Sequence, residues 1–201
     1  LIYYGDPKGL YVIYQKKFKT DRLSWKAPLK IEIKDGLFTR NTILCGDFNN
    51  DKKNDVIVTS KNHFYILTQN DNGNLSNPVK YYSTDRILGI EYADIDGDDL
   101  NDLIFATNDN GKPVQISFGK KNGKPGPQIK FKPQRPVALI ADNVIDSPKD
   151  DILIIESLTG RLFGYELGKS TENLTDWPVE YYPLPQGSEN NKRDMLVTDI
   201  T

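Results

Sequence analysis

The sequence has one histidine and one cysteine in 201 residues. A lone cysteine, Cys45, cannot pair within the chain, so cysteine gives no vote for an oxidising compartment. It lies in the apolar run TILCGDF and reads as a small core residue. So little His and Cys leaves no ligand set for zinc. No apolar run approaches the roughly 18 residues of a spanning helix, so no membrane span is expected. The lysines are scattered, which removes the basic stripe of a nucleic-acid binder. Nucleophile elbow, P-loop and dinucleotide fingerprint are all missing. So is any long stretch of helical periodicity. The chain opens on Leu1 rather than Met and shows no signal peptide; the expectation is a processed protein or a segment of a longer one.

What is present is strand and turn chemistry, rich in Tyr, Ile, Val, Gly and Pro. Net charge is −2, from 26 basic and 28 acidic residues. That near-balance hides a concentration. Asp47, Asp51 and Asp55 crowd one loop, and Asp94, Asp96, Asp98, Asp99 and Asp102 another. Without those eight, 20 acids face 26 bases.

The acidic loops mark a repeat. Asp47 and Asp94 are 47 residues apart, and a weaker copy opens at Asp142, 48 further on. Asp199 has the look of another loop start. A second marker is independent of the acids. Pro28, Pro78, Pro127 and Pro178 open PLKIEI, PVKYYS, PQIKFK and PVEYYP at spacings of 50, 49 and 51. A third, the apolar segments LYVIYQ, FYILTQ, VQISFG and LFGYEL, precedes each proline. Asn72-Gly73 and Asn122-Gly123 supply hairpin turns where positive φ is cheap for both residues. Each unit reads as four short strands, with repeats at 1–46, 47–93, 94–141 and 142–198. Four-stranded units of about 40–50 residues are the pattern of propeller blades. The expected fold is an all-β β-propeller of four-stranded antiparallel sheets, part of a ring of about seven blades. A β-sandwich is the alternative, but its strands do not repeat at a fixed long period.

Counted from Asp47 or Asp94 as position 1, oxygen side chains fall on positions 1, 3, 5 and 9, and position 7 can offer its carbonyl. This all-oxygen set suits Ca²⁺. An EF-hand begins alike but needs Gly at 6 and Glu at 12. Here position 6 is Lys52 or Asp99, position 12 is Val58 or Phe105, and a β-run follows.

GDFNNDKKNDVIV and ADIDGDDLNDLIF resemble the FG-GAP/VCBS-type repeats of integrin-like β-propellers, and the likeness runs over essentially the whole chain. It implies one Ca²⁺ per intact loop, at a turn between blades or between outer strands of a blade. The implied ligands are Asp47, Asn49, Asp51, Asp55 and the Lys53 carbonyl in the first loop. In the second they are Asp94, Asp96, Asp98, Asp102 and the Leu100 carbonyl. The third loop departs: after Asp142 and Asp146, Val144 and Pro148 fall at positions 3 and 7, Asp150 and Asp151 compete for 9, and one residue reads as inserted. A ligand is lost, so that loop is expected to be degenerate. The metal's expected role is structural.

The resemblance also implies export to an extracellular or periplasmic compartment and a scaffold that binds protein or carbohydrate. The alternative is a polysaccharide lyase or hydrolase built on the same propeller. His63 has no partner or nucleophile near it in sequence and reads as an ordinary surface or half-buried histidine. Trp25 and Trp177 stand at matching repeat positions and read as packing between strands. One Tyr of each pair, Tyr81-Tyr82 and Tyr181-Tyr182, must face away from the core. Asn74 and Asn173 head glycosylation sequons, and the segment 183–194 is a candidate contact loop.

Overall fold

The computed structural model describes residues 1–5, 8–16, 24–33, 35–37, 42–133, 135–144, 148–168 and 174–176. Asp146, Asn173, Trp177, Pro178, Tyr181, Tyr182, the 183–194 segment and Asp199 lie outside them. The described residues contain strands and turns and no helix.

The strands form four antiparallel sheets in chain order. The first has three strands, β1 (Ile2–Gly5), β2 (Gly9–Val12) and β3 (Leu29–Ile31). The second has β4 (Ile43–Gly46), β5 (Asp55–Thr59), β6 (His63–Leu67) and β7 (Val79–Tyr82). The third has β8 (Ile87–Ala93), β9 (Asp102–Thr107), β10 (Val114–Ser117) and β11 (Gln128–Phe131). The fourth has β12 (Pro136–Asp142), β13 (Asp151–Glu156), β14 (Leu162–Leu167) and β15 (Leu174–Asp176). Each strand hydrogen-bonds the next in its own sheet, so every sheet is a meander. The arrangement is that of part of a β-propeller; the sheets do not close into a ring.

The sequence repeat and the sheet are out of phase. ILGIEYA, the last segment of the 47–93 repeat, is β8 and pairs with β9 beyond the acidic loop. The acidic loop is therefore the connection between a sheet's first and second strands. It lies neither between blades nor between outer strands.

Strands β5 and β9 are apolar on both faces because each faces two cores. On β5, Ile57 enters the cluster shared with the third sheet, while Val56 and Val58 enter the one shared with the first. On β9, Leu103 and Phe105 point back to the second sheet and Ile104 forward to the fourth. Three clusters thus sit in the three gaps between neighbouring sheets. The first strands β8 and β12 also lie against one another. Position 2 of each intact loop plugs a gap: Phe48 between the second and third sheets, and the fully buried Ile95 between the third and fourth.

Several sequence expectations change in detail. Pro28, Pro78 and Pro127 each precede an outer strand, but β15 begins at Leu174, before Pro178. The β14–β15 connection is shorter than its counterparts, so pairing starts earlier in the repeat. Gly73 and Gly123 take positive φ, of 76° and 68°, whereas Asn72 and Asn122 do not. The Gly73 and Gly123 amides donate to the Asn70 and Lys120 carbonyls, each at 2.8 Å, which closes a turn with Gly as its last residue. Cys45 is exposed: Leu44 takes the core side of β4, which turns Cys45 to the groove beside Ile2 and Trp25. Trp25 is itself half exposed. Tyr81 stacks on Phe64 while Tyr82 faces solvent, as strand alternation requires.

Candidate functional site

The register fixes the loop frame. Gly46 pairs with Asp55, Ala93 with Asp102 and Asp142 with Asp151. All three loops therefore have one length, and position 1 is Asp47, Asp94 or Asn143. No residue is inserted in the third. Asp142 is the last residue of β12, Asp151 holds position 9, and Asp150 holds position 8. By sequence count, positions 3 and 5 of that loop are Ile145 and Ser147, both outside the described residues. The third loop thus departs from the pattern more than the sequence suggested.

The first two loops share a backbone. Positions 4 and 6 have positive φ in both: Asn50 at 58° and Lys52 at 64°, Gly97 at 78° and Asp99 at 63°. Non-glycine residues rarely adopt this conformation. It turns successive amides inward, onto the position-1 carboxylate. Asp47 accepts from the Asp51 and Lys52 amides at 3.0 and 2.7 Å. Asp94 accepts from Gly97, Asp98 and Asp99 at 2.8, 3.0 and 2.8 Å. Position 5 bonds the amide of position 7 in both: Asp51 to Lys53 at 3.0 Å and Asp98 to Leu100 at 2.9 Å.

Position 9 starts the second strand and is fully buried, as Asp55 and as Asp102. One Asp55 oxygen accepts from the Gln69 amide at 2.8 Å, and the other, Oδ2, is buried with no hydrogen-bond partner. Both Asp102 oxygens are bonded, to the Ile95 and Gly119 amides at 3.0 and 2.8 Å. Asp96 Oδ1 is buried without a partner. Carboxylate oxygens of Asp94, Asp96 and Asp102 all lie within 4.8 Å of one another.

Such crowding is electrostatically adverse. Burial, opposed by the Gly119 and Ile95 amides and reinforced by the charges of Asp96 and Asp94, pushes Asp102 up to about 7. Burial and the charges of Asp98 and Asp94 raise Asp96. Asp55 is likewise raised, by burial first and then by Asp51 and Asp47. The orphaned oxygens and the all-oxygen donors fit a hard divalent cation. The loops differ in charge. In the first, Asn49 replaces an acid, and the Lys53 ammonium lies 3.4 Å from Asp51 and 2.8 Å from Asp71. Lys53 and Leu100 occupy position 7, and Asp51 and Asp98 stand exposed at the rim of their loops.

Outside the loops, His63 is buried rather than superficial. Its Nε2 is 2.9 Å from Asp35, and Nδ1 is 3.2 Å from the Asn62 amide oxygen. Tyr65 donates to Asp35 at 2.9 Å, and burial followed by that bond pushes its phenol up to about 12. Tyr65 is thus a fixed donor and not a base. Ser60 Oγ donates to the Asp35 carbonyl. The group joins His63 and Tyr65 of β6 to Asp35, in the connection between β3 and β4.

Residues 47–105 match the FG-GAP-like repeat family. The matched segment runs from position 1 of the first loop into β9, so it holds both intact acidic loops. No curated protein matches the chain. Among solved structures, a Tc holotoxin pore of Photorhabdus luminescens is similar over 92% of this chain and 9% of its own, at 13% identity and a TM-score of 0.48. The chain therefore spans a small part of that neighbour.

Sequence reasoning overlooked position 8. It is Asn54, Asn101 or Asp150, a polar residue of one shape each time. That recurrence was the available signal.

Proposed function

We propose that the chain is a calcium-stabilised set of propeller blades in a secreted protein, extracellular or periplasmic, serving as a scaffold that binds protein or glycan. The observation that carries the calcium reading is the convergence of Asp94, Asp96 and Asp102 with a buried, unpartnered oxygen on Asp96. Asp94, Asp96, Asp98, Asp102 and the Leu100 carbonyl would hold one ion; Asp47, Asn49, Asp51, Asp55 and the Lys53 carbonyl would hold another. The cation supplies charge neutralisation and does no chemistry. Oxygen-only donors favour calcium over zinc, and Mg²⁺ keeps more of its own water.

The scaffold reading rests on the likeness of residues 47–105 to FG-GAP repeats and on exposed side chains that the cores do not use. Tyr82 is 73% exposed and Val79 52%, next to Lys80 on one outer strand. Aromatic surface of this kind suits recognition of proteins and sugars.

Titration calorimetry tests the metal reading. The expected result is two calcium sites of unequal affinity, the second loop tighter because it carries more carboxylates and no lysine partner. Heat for fewer than one site per chain contradicts it. Binding of a glycan array or of partner proteins by the calcium-loaded chain, absent in chelator, tests the scaffold reading.

A further inference from the structure

The loops of neighbouring sheets are bonded to one another through the same two positions. Asn101, position 8 of the second loop, donates its amide to the carbonyl of Asp47, position 1 of the first, at 2.6 Å. Asp150, position 8 of the third loop, grips Asp94, position 1 of the second, twice. Its carboxylate accepts from the Asp94 amide at 2.9 Å, and its own amide donates to the Asp94 carbonyl at 2.8 Å. Position 1 is the residue whose carboxylate gathers the inward-pointing amides of its loop. Position 8 of each following loop thus fixes the backbone of the residue that organises the loop before it.

We infer that Asp150 is a positioning residue for the cation site of the second loop, and that the third loop, which by sequence has Asn143, Ile145 and Ser147 where the second has Asp94, Asp96 and Asp98, serves as a clamp on its neighbour. The inference rests on the calcium reading above. The third loop is itself held in place: Lys149 donates to the Leu167 carbonyl at 2.6 Å and lies 3.3 Å from Glu166. It also closes over the second loop, since Pro148 and Lys149 stand 3.6 and 3.7 Å from where a Cβ on Gly97 would lie. Loss of a residue that orients a ligand without touching the metal typically costs about 10–100-fold in metal affinity.

The test is calcium calorimetry in a chain carrying Asp51→Ala, which leaves the second loop as the intact site. Adding Asp150→Ala should weaken calcium binding on the order of ten-fold or more. Adding Asp150→Asn, which keeps an oxygen to accept from Asp94, should restore most of that loss. In calcium-free buffer, hydrogen exchange at the Asp94 amide should quicken in the Ala variant and not in the Asn one. Asn101→Ala in the otherwise unaltered chain gives the reciprocal reading: the first loop should weaken and the second hold. Unchanged affinity in both Ala variants overturns the clamp while leaving the calcium sites standing. Equal loss in Asp150→Ala and Asp150→Asn also overturns it, because charge and not position would then be at work. No calcium binding in the unaltered chain overturns the calcium reading and the clamp together.

Discussion

At the scale of single residues, Asp102 carries the sharpest prediction. It is fully buried, and burial with the charges of Asp96 and Asp94 pushes its carboxyl up to about 7 from an ordinary value of 3.8. Between those values the native state holds a proton that the unfolded state has released. Stability of the calcium-free protein should therefore fall as pH rises from about 4 to about 7, and level off above. The slope at its steepest is about 1.4 kcal/mol per pH unit. Chemical denaturation in chelator across that range measures it, and Asp102→Asn should reduce the slope to what the raised Asp55 and Asp96 contribute, whatever the variant does to the absolute value. Below pH 4 a different group acts. The Gly111 and Lys112 amides, with Lys130, pull the Asp109 carboxyl down to about 2. Its contribution is present above about 3.8 and fades toward pH 2. The loop acids were legible from sequence because oxygen side chains at alternate positions can be counted from spacing alone. Asp35 was not, because its partners His63 and Tyr65 are met only across the fold.

At the scale of elements, the two hairpin glycines separate strain from contact. Gly73 and Gly123 share a positive φ, but a Cβ on Gly73 meets nothing whereas one on Gly123 collides with Asn49 in the first loop. Gly73→Ala should cost about 1–2 kcal/mol, the strain of the conformation alone. Gly123→Ala should cost more and also weaken calcium binding at the site proposed for the first loop; thermal melts and calorimetry on the two variants check both. Ile95, fully buried in the gap between the third and fourth sheets, predicts a loss of about 2–4 kcal/mol on Ile95→Ala by denaturant titration. The strands themselves were readable as apolar runs after each loop. Their grouping was less so. A repeat has no inherent starting point, and it is the pairing of Gly46 with Asp55, Ala93 with Asp102 and Asp142 with Asp151 that shows each loop to lie inside a sheet. The third loop was misframed for a related reason: Asp142 read as position 1 and Asp150 and Asp151 competed for position 9, until register put Asp142 at the end of β12 and Asp151 at position 9.

At the scale of the whole molecule, the sheets are joined by three apolar gaps and by one line of polar loops. The gaps supply non-directional burial. The loops add carboxylates that repel one another unless a cation neutralises them. Stability should therefore be conditional on calcium, by linkage to the folded state. The direct measurement is the melting temperature of the chain in chelator and across rising calcium, with magnesium at the same concentrations as control. A progressive rise with calcium, small or absent with magnesium, is the predicted result. A melting temperature indifferent to calcium would contradict the account and leave the acidic loops as solvated turns.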